Sequence, residues 1–360
     1  MKIRINKELL SLIIIKFFYS IFALYVYSSF TSLGDTPRYW TGPQFGHPGL
    51  IYNSTAFMDN LTRIFYLVGG PIFANLPFII LSSIGIFYPL KKANFNQNYR
   101  LIIYFLALTP SLGIWTSIAS KEAMGVFFMG LLLGSLFDYL SKNRIEDKKL
   151  FFLGIYLAAI FKPQYLVPIF TVFSFIFFTR KLRLGNGGII SLFIAYFLCG
   201  ALTLFFLRDV INEISLILPM HFSIEGGSTR ANPWIEDYDF FRTMPIGLIV
   251  AFWGPTFTEA LSNSKFMISF IETSILSLFI IIPMINFISR ILMNKKLFIM
   301  PIIIVIMSFV LLLFVHYPFG YINSGSAIRY RSNFLPFLII LIIYFEFKLN
   351  NIYFPSIKHD

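Results

Sequence analysis

Ten apolar segments recur along the chain, at 9–30, 65–90, 101–119, 123–140, 150–161, 166–179, 187–207, 266–288, 297–315 and 333–347, with mostly short polar connections between them. A helix crossing the hydrocarbon core of a bilayer, roughly 30 Å thick, needs about 20 such residues. A chain of 360 residues that is 57 % hydrophobic, 19 % aromatic and only 13 % charged cannot hide this much apolar surface from water. The expected fold class is therefore all-α: a polytopic membrane protein of about ten transmembrane helices, in a single integral domain spanning residues 1–360.

The charges give an expected orientation. Basic clusters fall at Lys2, Arg4 and Lys7; at Lys91, Lys92 and Arg100; at Lys142, Arg144, Lys148 and Lys149; at Arg180, Lys181 and Arg183; at Arg290, Lys295 and Lys296; and at Lys348 and Lys358. With all of these facing the cytoplasm, both termini lie inside, and the formal charge of +12 reflects a positive-inside bias, which argues against nucleic-acid binding. The basic start followed by a long apolar run carrying Lys16, without a small-residue cleavage site, reads as a retained first helix. Residues 243–254 are short for a span and are expected to be re-entrant or interfacial, with an extra spanning helix as the alternative. The tight turn "KPQY" between 150–161 and 166–179 places Lys162 below the bilayer surface, lining a cavity. The single cysteine, Cys199, excludes an intramolecular disulfide, and His47, His221, His316 and His359 have no metal-ligand spacing. No nucleotide-binding motif occurs, and no cofactor is expected.

Against that bias, cations recur on the side expected to face outward. The outer loops 31–63, 208–242 and 316–331 and two tight turns carry Asp35 and Arg38 in "GDTPRYW", Lys121 and Glu122 in "SKEA", and Lys162 in "KPQY". They also carry Arg230, Glu236, Asp237, Asp239 and Arg242 in "STRANPWIEDYDFFR", and Arg329, Tyr330 and Arg331 in "SAIRYRSNF". An anionic ligand at the lipid surface is a shared reason, because arginine grips phosphate oxygens as a fork and lysine as a point charge. The aromatic neighbours, Tyr330 among them, suit stacking on a sugar ring; they also suit an interfacial belt, the commoner reason for any single one. Two residues apart on a helix, Arg329 and Arg331 point about 200° apart, so one of them, Arg329, is expected to face the site and the other the headgroups. Asp35, beside Arg38, is the candidate base; helix capping is the competing reading.

Three stretches carry a resemblance. "TPSLGIWTSIASKEAMGVFFMGLLL" and "GSAIRYRSNFLPFLIIL" resemble the multipass polymerases that join O-antigen or capsular-polysaccharide repeat units. "GDTPRYW" resembles the acidic first outer loop of the wider GT-C glycosyltransferases. The paired arginine-x10-glycine loops of the polymerases are not matched, since Arg242 and Gly254 have eleven residues between them. The resemblance implies a metal-independent glycosyltransferase of a bacterial inner membrane with its site facing the periplasm. Its substrate would be an undecaprenyl-diphosphate-linked oligosaccharide, with a flippase and a chain-length regulator as partners. It implies catalytic roles for Asp35, Lys121, Arg329 and Arg331. Substrate contacts are expected from Arg38, Glu122, Lys162, Arg230, Arg242 and Tyr330. The alternatives are a GT-C transferase using a polyprenyl-phosphate sugar donor and a flippase for the lipid-linked unit.

Overall fold

The computed structural model describes residues 6–222, 228–293 and 299–353. The expected basic positions Lys2, Arg4, Lys295, Lys296 and Lys358, and His359, lie outside the described residues. In chain order the helices are α1 (Lys7–Tyr25), α2 (Thr36–Thr41), α3 (Ser54–Ala93), α4 (Gln97–Ala107), α5 (Pro110–Trp115), α6 (Lys121–Lys142), α7 (Lys148–Phe161) and α8 (Leu166–Lys181). They continue as α9 (Asn186–Phe206), α10 (Arg208–Ile217), α11 (Asp239–Trp253), α12 (Phe257–Ser262), α13 (Ser264–Met293), α14 (Ile299–Ile322), α15 (Ser324–Arg331) and α16 (Leu335–Tyr353).

Among the described residues, six helices are long and apolar enough to cross a membrane, or seven if α15 and α16 count as one bent span. This is the pattern of a multi-pass membrane protein. The remaining expected segments are helical but shorter. The segment at 101–119 is not one helix: Pro110 cannot continue α4, so α5 starts there and stops at Trp115. Residues 243–253 lie in α11, a 15-residue helix capped after Trp253 by Gly254, whose φ of +88° suits a residue without a side chain.

The chain divides into two compact units, Met1–Leu166 with Ser332–Phe347, and Val167–Arg331 with Lys348–Asp360. In the first, α6 is the central helix, and every residue from Glu122 to Asp138 is buried. At 22 residues it is roughly 33 Å long, about the hydrocarbon thickness. It meets α3 backbone to backbone: a Cβ at Gly130 would lie 1.8 Å from the Gly85 carbonyl oxygen, and one at Gly85 would lie 2.4 Å from that of Val126. Between helices in a bilayer such small-residue contacts supply the dispersion that the hydrophobic effect does not. On another side, Phe137 stacks on Tyr344 of α16 at 4.0 Å.

The C-terminal end of α6 is tied by charge. Lys92 of α3 meets the buried Asp138 at 2.7 Å, Asp147 at 2.8 Å and Glu146 at 3.2 Å. Tyr88 donates to Asp147 at 3.0 Å. Helix α3 is itself broken: Gly70 takes φ +70° and ψ −158°, which only glycine adopts readily, and Pro71 follows. Residues 54–68 therefore form a separate arm continuous with the loop that precedes them.

In the second unit α11 packs on α14 through Gly247 and Gly320, where a Cβ would lie 2.1 Å from the Tyr317 ring and 2.9 Å from Ala251. Trp234, Phe240, Ala251, Tyr317 and Ile322 form a buried cluster around this contact. Residue Thr229 pairs with Asn323 as an isolated antiparallel bridge, fastening the segment that precedes Trp234 to the end of α14.

Candidate functional site

The first unit gathers five of the expected residues, Asp35, Arg38, Lys121, Glu122 and Lys162, at one end. Thr36, with a hydroxyl that donates to the Ala119 carbonyl at 2.9 Å, ties the start of α2 to the stretch just before α6. Asp35 precedes Thr36 and Lys121 follows Ala119 by two residues, so one hydrogen bond joins the segments carrying both. Asp35 occupies the N-cap position of α2 but makes no side-chain capping bond. Its carboxylate is exposed, which the capping reading does not require.

Lys121 is the first residue of α6, where the helix dipole favours an anion. Its ammonium donates to the Thr55 hydroxyl at 3.2 Å and lies within electrostatic reach of Asp35, Glu122, Arg38 and Asp59. Glu122 is buried in the same turn. Arg38, half exposed, meets Asp59 at 3.5 Å and lies 5.9 Å from the Tyr39 ring centroid. Asp59 is fully buried and also accepts from the Gln44 backbone N–H at 3.0 Å. Nearby, Arg63 donates to the Trp40 carbonyl at 2.8 Å, and Trp40 stacks on Tyr66. Lys162 is buried in the turn after α7. The residue before it, Phe161, packs edge-on against Phe57 at 5.4 Å, which brings that turn to the Thr55–Asp59 end of α3.

The other expected residues belong to the second unit. Arg331 is 1 % exposed and donates to the carbonyls of Phe252 at 2.7 Å and Trp253 at 3.1 Å, and to the Thr273 hydroxyl at 2.7 Å. A cation at the last carbonyls of α11 satisfies groups that the helix itself leaves open. Arg331 thus turns inward, not to headgroups. Arg329 diverges from it as the two-residue spacing requires, half-buried and 6.0 Å from the Tyr330 ring centroid. Tyr330 meets Phe319 edge-on at 5.6 Å.

Arg230 is fully engaged. It grips Glu259 with Nε at 2.7 Å and Nη2 at 2.9 Å, and donates to the carbonyls of Gly254 at 2.5 Å, Gly320 at 2.9 Å and Tyr321 at 2.8 Å. Burial pushes the Glu259 carboxyl up, but the Arg230 and Thr256 hydrogen bonds outweigh it and hold it below the ordinary value. Arg242 is exposed and pairs with Asp239 at 2.7 Å and Glu236 at 3.2 Å. Backbone N–H groups of Glu236 and Ile235 and the Arg242 charge hold the Asp239 carboxyl below its ordinary value, against its burial. Trp234, Tyr317 and Tyr321 pack on one another, within 6.3 Å between centroids.

Sequence reasoning missed Thr36, Thr55, Asp59 and Asn75. A signal exists for two of them: Thr36 sits between Asp35 and Pro37 in the quoted motif, and Asn75 shares a helix face with Ser82, seven residues on, inside an apolar run. Comparison of the chain with protein-family models, with characterised proteins and with solved structures finds no match.

Proposed function

We propose that this protein is a glycosyltransferase that joins undecaprenyl-diphosphate-linked oligosaccharide repeat units into O-antigen or capsular polysaccharide. The observation that carries the reading is the group at the start of α6: an exposed carboxylate, Asp35, with two cations, Lys121 and Arg38, at one end of an apolar helical body. A lipid-linked diphosphate presents its charge at that depth and leaves its tail in lipid. The motif resemblance at the same residues points to the same chemistry, and a role for Arg329 is carried by that resemblance alone.

In the reaction, an acceptor sugar hydroxyl attacks the anomeric carbon of the donor glycan. The bond from that carbon to the phosphate oxygen breaks, and its electron pair leaves with undecaprenyl diphosphate. Asp35 takes the hydroxyl proton. Lys121, Arg38 and the N-terminal dipole of α6 stabilise the charge that builds on the departing diphosphate, an electrostatic contribution of the kind that usually dominates such sites. Fixed cations are sufficient for that neutralisation. In this proposal the site faces the periplasm across a bacterial inner membrane, with both termini in the cytoplasm. All ten apolar segments then lie at membrane depth.

A deletion strain tests the reading. Loss of a polymerase leaves lipid A core capped by a single repeat unit, whereas loss of a flippase leaves it uncapped. A normal ladder of chain lengths in the deletion strain contradicts polymerisation. A GT-C transferase adding one sugar from a polyprenyl phosphate is the second reading, favoured by the Asp35 motif, and predicts a ladder whose every unit lacks one sugar.

A further inference from the structure

Between α5 and α6 the chain leaves the helix for residues Thr116–Ser120, and it does so inside the first unit, where Thr116, Ser117, Ile118 and Ala119 are fully buried. Unwound backbone at such a place exposes N–H and C=O groups that lipid cannot satisfy, each at a cost of several kcal/mol on the order of a lost hydrogen bond. Here side chains from three other helices meet that need. The Thr116 carbonyl accepts from the Ser82 hydroxyl at 2.7 Å, and the Lys16 ammonium donates to the Thr116 hydroxyl. The Ala119 N–H donates to Asn75 Oδ1 at 2.8 Å, and Asn75 Nδ2 donates onward to the Ser20 hydroxyl at 2.9 Å. The Ala119 carbonyl takes the Thr36 hydroxyl at 2.9 Å. Ser120 closes the stretch, donating to the Trp115 carbonyl and accepting the Ala123 N–H at 3.1 Å.

Both polar groups of Ala119 are therefore held from opposite sides, by α2 and by α3. That residue stands two before Lys121, and its partner Thr36 stands one after Asp35. A lysine that merely reached for headgroups at a helix end would not need a buried mount.

We propose that Thr116–Ser120 is a preformed mount for Lys121, and that Thr36 and Asn75 are positioning residues that set Lys121 against Asp35. The functional importance of that setting rests on the glycosyltransferase reading; the setting itself does not. Misplacing a catalytic group by about 1 Å costs a reaction as much as a hundredfold.

The test is competitive acetylation of the full-length protein in detergent, with Lys121 followed by mass spectrometry and folding by thermal midpoint. Thr36→Val keeps the shape of the side chain and removes its donor; Thr36→Ser keeps the donor. The expected result is that Lys121 labels roughly tenfold faster in Thr36→Val, as its contact to Thr55 loosens, and at the wild-type rate in Thr36→Ser. Asn75→Ala, which releases Ala119 from the other side, gives the same acceleration. Wild-type labelling in both Thr36→Val and Asn75→Ala overturns the proposal. So does equal acceleration in Thr36→Val and Thr36→Ser, which marks general loosening. Chain elongation by the same preparations is read separately. Absence of elongation in the wild type contradicts the glycosyltransferase reading and leaves the labelling result to decide the mount.

Discussion

The guanidinium of Arg331 donates to the carbonyl oxygen of Phe252 at 2.7 Å, closing the end of α11 from within the "RYR" motif. Two residues away on the same helix, Arg329 lies half-buried beside the Tyr330 ring. One short motif thus contains a structural arginine and an arginine on a different face.

Arg331→Ala removes a buried charge from three acceptors. It is expected to lower stability by about 3 kcal/mol, the scale for breaking buried charged hydrogen bonds. Thermal unfolding in detergent checks this; Arg329→Ala is expected to lose polymer formation in the deletion strain.

The Arg230–Glu259 pair gives a pH prediction. The Glu259 carboxyl is held below its ordinary value of 4.5, so the pair stabilises the fold above that pH and the gain is lost as pH falls through the lower folded value. The thermal midpoint of the wild type is expected to drop below about pH 4.5 more steeply than that of Glu259→Gln, which already lacks the ionised partner. Parallel curves contradict the assignment.

Gly130→Ala places a methyl group 1.8 Å from the Gly85 carbonyl, so α3 and α6 must separate. A loss of about 1–3 kcal/mol is expected from such overpacking. Gly200→Ala in α9, where a Cβ meets nothing within 4 Å, is expected to cause no loss. Equilibrium unfolding of both variants measures the difference.

How far the sequence alone reaches can be judged from particular residues. Apolar periodicity placed the helices that hold α6, because long apolar runs have few other options in lipid. It placed α3 poorly. The helix begins at Ser54, where Asn53 caps it, and breaks at Gly70, inside a run that reads as continuously apolar. At the candidate site charge is the legible signal: Arg38 and Lys121 are cations against the expected bias, with the carboxylates Asp35 and Glu122 beside them. Charge did not separate Arg329 from Arg331, nor show that Arg230 is spent on Glu259 and three carbonyls, since those partners lie 24 to 91 residues away in sequence. Asn75 and Thr36 are neutral and short, and their importance comes only from the backbone they meet.

The most direct measurement of the central claim uses the purified protein reconstituted with undecaprenyl-diphosphate-linked repeat units, reading chain length and released lipid diphosphate together. The wild type is expected to extend chains and release one lipid diphosphate for each unit added. Asp35→Asn, isosteric and without a base, is expected to do neither while remaining folded. Elongation by Asp35→Asn at the wild-type rate contradicts the account.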